Sequence, residues 1–257
     1  MTESSEVHMN VEICEVGPRD GLQSEKRIWS VAERVELINR LTQAGVKRIE
    51  AASFVNPKRV PQMANAEAVM AEIDRPSHVR VAGLALNMRG IERALDAGVD
   101  EVRYVVVASE TFNLKNQGAS IDETLRGLEG IAKRVIESGR LLSGTIGASF
   151  GCPFEGHTST DVVVQIARRY EQVGVHEVML ADTIGCAVPS QVRNLISAVR
   201  AELSETIGLG CHFHNTRNTG IANAVAAVEA GVKILDSSIG GIGGCPFAPR
   251  ATGNIST

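Results

Sequence analysis

A closed parallel (β/α)8 barrel, the TIM barrel, is the fold that this chain of 257 residues predicts, on three observations. Eight short β-branched runs alternate with longer segments of helical periodicity along the whole length. The same punctuation recurs between them: Ala-Gly-Val at 44–46, 97–99 and 230–232, and Val-Gly-Val at 173–175. Polar residues gather after the first, second, sixth, seventh and eighth runs. A closed barrel brings those ends to one face, whereas an open doubly wound sheet, the alternative, spreads them along an edge.

In order, the expected strands are 11–16, 48–50, 79–85, 101–107, 142–150, 177–180, 208–213 and 233–237. The segments between them carry apolar residues at helical spacing, as in Val35, Ile38 and Leu41, or Val192, Leu195, Ile196 and Val199. Helix starts are marked by Ser30, by Ser120 with Glu123 as a capping box, by Thr158 or Ser159, and by Pro189. Each repeated glycine follows a helical run and precedes a strand, the place of a left-handed C-cap. Helical crossovers between successive strands require parallel pairing and right-handed connections. Residues 1–10 read as a polar tail and 11–257 as a single barrel domain. Thr257 follows the eighth strand and its loop, so the barrel is expected to end before its eighth helix, with Asn254-Ile-Ser-Thr reading as a helix start.

Composition narrows the function. A hydrophobic share of 44% against 22% charged residues suits an ordinary globular domain. The net charge of -4 and the lack of a basic run argue against nucleic acid as a partner. No run of apolar residues is long enough for a membrane span. The opening MTESSEVHMN resembles neither a secretory nor a mitochondrial leader. Five cysteines, at 14, 152, 186, 211 and 245, include no C-x-x-C pair, which argues against a disulfide framework or zinc ribbon and for a reducing cytoplasm.

His212-Phe213-His214 carries the sharpest chemical signal. Residues two apart on a strand share a face, so both imidazoles point the same way and form a natural pair of metal ligands. Arg19-Asp20, in Val16-Gly-Pro-Arg-Asp-Gly-Leu-Gln, follows the first strand. These residues read either as a turn or as a carboxylate completing a two-histidine-plus-oxygen site for Mg²⁺, Mn²⁺ or Zn²⁺. Glu50 ends the second strand and Asp182 the sixth, each as a loop cap, an arginine partner or a member of the site. The loop Gly240-Gly-Ile-Gly-Gly-Cys-Pro-Phe-Ala matches neither phosphate-binding glycine motif and reads as a lid bearing Cys245, a residue able to give or take a proton.

Several segments together resemble the 3-hydroxy-3-methylglutaryl-CoA lyase family of metal-dependent barrel lyases, related to Claisen-condensing enzymes. They are Val16-Gly-Pro-Arg-Asp-Gly-Leu-Gln-Ser-Glu-Lys, Ile49-Glu-Ala-Ala-Ser-Phe-Val, Gly151-Cys-Pro-Phe-Glu-Gly, Asp182-Thr-Ile-Gly, His212-x-His and Gly241-Ile-Gly-Gly-Cys-Pro-Phe-Ala. The resemblance implies that Asp20, His212, His214 and Asn254 hold a divalent ion, Mg²⁺ or Mn²⁺, with Zn²⁺ also admitted. It implies that Arg19 stabilises a thioester enolate, that Cys245 transfers a proton, and that Glu50 and Asp182 serve catalysis. Gln23, Lys26 and Thr183 would lie beside an acyl-CoA substrate, cleaved to acetyl-CoA and a keto acid, acetoacetate. A homodimer is implied as well.

The pattern also departs from that family, whose members follow the second histidine with Asp-Thr-Tyr-Gly-Gln. Here the residues are Asn215-Thr216-Arg217-Asn218-Thr219-Gly220, and Pro249-Arg250 differs after the lid. Arg217 is either a solvated surface residue or a grip for a carboxylate placed differently on the acyl group. The alternative function is therefore a related aldolase or citramalyl-CoA-type lyase. A non-catalytic binding barrel would have little use for this ligand set together with Cys245.

Overall fold

The computed structural model describes residues 10–244 and 253–257. Eight parallel strands close in sequence order: β1 (Glu12–Glu15), β2 (Arg48–Ser53), β3 (Arg80–Leu84), β4 (Glu101–Val107), β5 (Leu141–Gly147), β6 (Glu177–Asp182), β7 (Gly208–Phe213) and β8 (Ile234–Ser237). Closure is made by β8 pairing back onto β1, Glu12 against Ile234 through Glu15 against Ser237. Around them lie α1 (Val31–Gln43), α2 (Ala66–Glu72), α3 (Met88–Asp96), α4 (Glu110–Gln117), α5 (Ile121–Glu137), α6 (Thr160–Gln172), α7 (Pro189–Arg200) and α8 (Gly220–Glu229). The β4–β5 connection carries two helices, α4 and α5.

The punctuation acts as its chemistry demands. Ser30 and Ser120 each close a capping box, with Glu33 and Glu123. Ser159 rather than Thr158 caps α6, and Pro189 opens α7. Gly45, Gly98, Gly174 and Gly231 take φ of 96°, 74°, 88° and 95°, ending four helices in the left-handed region.

Two strands differ most from their expected spans. β2 runs on to Ser53 through an irregularity between Glu50 and Ala52. β5 stops at Gly147 because Ala148 turns the chain with a φ of 52°. The expected helix start at 254–257 is instead an extended segment laid between the ends of β7 and β8. Asn254 bridges His214 and Ser256 bridges Ser238. Ile255 N donates to Phe213 O at 3.1 Å, and Ser238 N to Ile255 O at 3.0 Å, so strand partners take the backbone groups that a helix would have used internally. Among the described residues a 3-10 turn, Ile239–Gly241, follows β8, and no α-helix does.

Strand alternation separates two interiors. One face of each strand packs under the helices: Val102, Tyr104 and Val106 of β4 and Val178 and Leu180 of β6 join Ile38, Leu128, Ile166 and Val199 in one hydrophobic core. The opposite face lines the lumen, which at its lower end is ionic. Arg48 of β2 donates to both carboxylate oxygens of Glu101 on β4, at 3.0 and 2.6 Å, and to both of Glu177 on β6, at 2.8 and 2.9 Å. Ser143 Oγ on β5 adds a 2.7 Å bond to Glu101. Burial disfavours the charged form of Glu101, yet Arg48 and Arg103 outweigh it and hold its pKa down at about 2. No helix among the described residues is long and apolar enough to cross a membrane.

Candidate active site

The site lies at the carboxyl ends of the strands, where a cavity of about 470 Å³ opens. Its polar wall comprises Arg19, Asp20, Gln23, Thr183, His212, His214 and Asp236, and Leu84, Val105, Val107 and Phe112 form an apolar side.

Directly after β1 the chain makes a π-helical turn, Gly17–Gly21. The turn tucks close against its surroundings, since a Cβ on Gly17 would stand 2.6 Å from Glu15 Oε1. Glu15, fully buried, accepts from Gly17 N at 2.7 Å, Ile239 N at 2.9 Å and Thr257 Oγ1 at 2.7 Å. These bonds tie the turn to β8 and to the extended 253–257 segment. The result aims Arg19 and Asp20 into the cavity.

Asp20, His212 and His214 each place one ligand atom within 4.8 Å of the others. Nε2 of His212 lies 3.2 Å from Nε2 of His214 and 3.9 Å from Asp20 Oδ2. Asn254 lies beside them: its Nδ2 donates to Asp20 Oδ2 at 2.9 Å and to Ile242 O at 3.1 Å, while its buried Oδ1 has no hydrogen-bond partner among the described residues. Two imidazole nitrogens and a carboxylate within 4.8 Å of one another, with an amide side chain against the carboxylate, suit a divalent cation. The four residues read from the sequence as ligands therefore fit such an ion.

The electrostatics agree. Burial would push the Asp20 carboxyl up, but Arg19, His212 and His214 pull it below its ordinary value. Burial would lower His212; Asp236 and Asp20 outweigh it and raise its pKa. Asp236 lies 3.2 Å from His212 Nδ1, which sets that nitrogen as the donor and leaves Nε2 to face Asp20 and His214.

Arg19 stands between two carboxylates, with Nη1 bonded to Asp20 at 2.8 Å and Nη2 2.6 Å from Glu50 Oε2. The Glu50 contact is an ion pair without the alignment of a hydrogen bond, and Glu50 itself is fully buried. Burial opposes the charge on Arg19, but Glu50 and Asp20 raise its pKa. Its Nε has no hydrogen-bond partner among the described residues.

The remaining sequence candidates divide. Gln23 and Thr183 line the cavity. Asp182 does not: it sits on the opposite face of β6 from Ala181, and its oxygens accept from the amides of Cys186 and Ala187 at 2.9 and 3.1 Å. Burial raises its pKa against those bonds. Lys26 and Arg217 are exposed and outside the lining, and Arg217 donates to Cys186 O at 3.3 Å. Asn215 keeps a local role, its Oδ1 accepting from Gly220 N at the start of α8. Cys245 and Arg250 lie outside the described residues, though Gly244 reaches the cavity rim, anchored by Ser24 Oγ at 2.8 Å. Sequence reading missed Asp236 and Arg103. The signal for both was a charge within an otherwise apolar strand, in Ile234-Leu-Asp-Ser and in Glu101-Val-Arg-Tyr-Val-Val-Val.

A (β/α)8 barrel with two histidines and a carboxylate able to hold a metal ion, beside a largely enclosed arginine, fits the class of the metal-dependent barrel lyases. The chain belongs to the HMGL-like family, whose profile matches residues 10–257. It is 43% identical to the (R)-citramalyl-CoA lyase of Chloroflexus aurantiacus, over 96% of this chain and 81% of that protein. Identity is 40% to the mitochondrial hydroxymethylglutaryl-CoA lyase of Bos taurus, over 96% of this chain and 76% of that one. An HMG-CoA lyase from Acinetobacter baumannii, solved with coenzyme A and 3-methylmalate, superposes with a TM-score of 0.92 at 39% identity, over 100% of this chain and 82% of that chain.

Proposed function

We propose that the protein is a divalent-metal-dependent carbon–carbon lyase that splits a 3-hydroxy-3-methylglutaryl-CoA-like thioester into acetyl-CoA and a keto acid, acetoacetate for that substrate. The observation that carries this reading is the convergence of Asp20, His212, His214 and Asn254 beside Arg19 in one cavity. These residues would hold Mg²⁺ or Mn²⁺ on hard oxygen donors, or Zn²⁺ on the imidazoles, and such an ion would supply a Lewis acid that eases deprotonation of the substrate's 3-hydroxyl.

As that hydroxyl passes its proton to water in the open cavity and becomes a ketone, the C2–C3 bond breaks and its electron pair passes to the thioester as an enolate. Arg19 places a fixed positive charge where the enolate oxygen develops, and Glu50 and Asp20 keep the guanidinium from turning away. By the family resemblance C2 then takes its proton from Cys245. Gln23 and Thr183 are placed to orient the acyl group. Asp182 orders the loop behind Thr183. Lys26 and Arg217, exposed cations outside the cavity, suit the phosphates of CoA better than the acyl group. The bound coenzyme A of the Acinetobacter relative supports an acyl-CoA substrate. A cytoplasmic homodimer completes the reading.

A second substrate is favoured by the 43% identity to a citramalyl-CoA lyase. Citramalyl-CoA has the same reacting carbons but one methylene fewer before its carboxylate, a difference worth about 1–3 kcal/mol in a fitted pocket. Acetyl-CoA release from both thioesters, with Mn²⁺ and again with chelator, tests the proposal. Chelator-sensitive release is expected, fastest from 3-hydroxy-3-methylglutaryl-CoA. A reversed preference moves the assignment to citramalyl-CoA, and no release from either by metal-loaded protein ends the lyase reading.

A further inference from the structure

Arg103 is a buried cation that touches no metal-binding residue and yet reaches both halves of the site. It lies on β4, facing the lumen, with 2% exposure. Its Nη1 and Nη2 donate to Oδ2 and Oδ1 of Asp236, at 2.8 and 3.0 Å, across 133 residues of sequence. Oδ2 of the same aspartate is 3.2 Å from His212 Nδ1. On its other side, Arg103 Nη1 stands 4.0 Å from Glu50 Oε2, the oxygen that lies 2.6 Å from Arg19 Nη2.

We propose that Arg103 is a positioning residue for the metal centre, acting through the Arg103–Asp236–His212 chain. This rests on the reading of Asp20, His212 and His214 as metal ligands and extends it inward by two residues. A bidentate guanidinium fixes both oxygens of a carboxylate, and hence its plane, as a single ammonium cannot. With the plane of Asp236 fixed, Oδ2 presents one acceptor to His212 Nδ1, and the ring is held with Nε2 turned to Asp20 and His214. Without the fork, a buried aspartate 4% exposed is free to rotate, to take up a proton or to turn toward another donor. The contact with Glu50 links the same cation to the carboxylate that steadies Arg19.

A charge inside an apolar strand is costly, so bare charge neutralisation is the competing role for Arg103. Arg103→Lys separates the two: it keeps the charge and loses the fork. The experiment measures Mn²⁺ affinity of the purified apoprotein by the electron paramagnetic resonance signal of free Mn²⁺, with a thermal melt on each sample. Arg103→Lys and Asp236→Asn are each expected to bind Mn²⁺ about 10–100-fold more weakly than wild type. Because both act along one chain, the double variant should bind no more weakly than the poorer single. Wild-type Mn²⁺ affinity in a folded Arg103→Lys protein, or multiplied losses in the double variant, overturns the proposal. Should Arg103→Lys fail to fold, Asp236→Asn decides in the same way. Failure of the wild type to bind Mn²⁺ instead overturns the metal-site reading on which the proposal stands.

Discussion

At Arg19 a single guanidinium is held by Asp20 on one side and Glu50 on the other, while its Nε has no hydrogen-bond partner among the described residues. Arg19→Gln should therefore lower kcat by about 10²–10³-fold, the usual effect of losing one preorganised donor to an oxyanion. Metal content, measured by atomic emission on the same protein, should be unchanged; an equal loss of metal would move Arg19 from catalysis to structure. His212 and His214 were legible because strand parity alone makes them neighbours, and Asp20 because it follows a strand. Asp236 and Arg103 were not. Sequence does not say that two charges 133 residues apart face each other across a lumen, nor which face of a four-residue strand Asp236 takes. Asp182 was readable as a strand-end carboxylate, but its partners are backbone amides of its own loop, which no residue type announces.

The turn after β1 is the element on which the placement of Arg19 and Asp20 depends. Gly17→Ala puts a methyl group 2.6 Å from Glu15 Oε1 and 3.1 Å from Ile239 and Ser238 side chains. Glu15 cannot swing aside freely, because its carboxylate holds Gly17, Ile239 and Thr257 together. The substitution should destabilise the protein by about 1–3 kcal/mol, as overpacking does, and urea unfolding checks it; a change within 0.5 kcal/mol would show that the turn yields. At this scale the sequence was most readable. Eight strands and four glycine caps follow from alternation, periodicity and the need for positive φ. What escaped were features set by tertiary contact: the early turn at Ala148, the irregularity in β2, and the extended path of 254–257, where exposed backbone of β7 and β8 outcompetes helix formation.

Across the whole molecule, the barrel interior is stabilised at its lower end by ion pairs where many barrels stack aliphatic layers. Glu101 titrates at about 2 in the fold against an ordinary 4.5, so its pairing adds stability that is complete above 4.5 and disappears as pH falls through 2. Thermal melts should show a plateau above about pH 5 and a steep decline between 4.5 and 2, with the decline shallower in Glu101→Gln. A melting temperature indifferent to pH across that window would exclude this account.

The segment that carries Asn254 bonds to an aspartate 234 residues earlier, Asp20, and is threaded between the ends of β7 and β8. During synthesis, Asp20 leaves the ribosome long before Asn254 exists, and His212 and His214 emerge in between. A nascent chain thus passes through stages with one, then three, of the four donors, none of them with the barrel closed. With Asn254 as the proposed fourth ligand, full-strength metal capture would belong only to a chain translated through that residue, and uptake of the ion would report that the first and eighth strands have met.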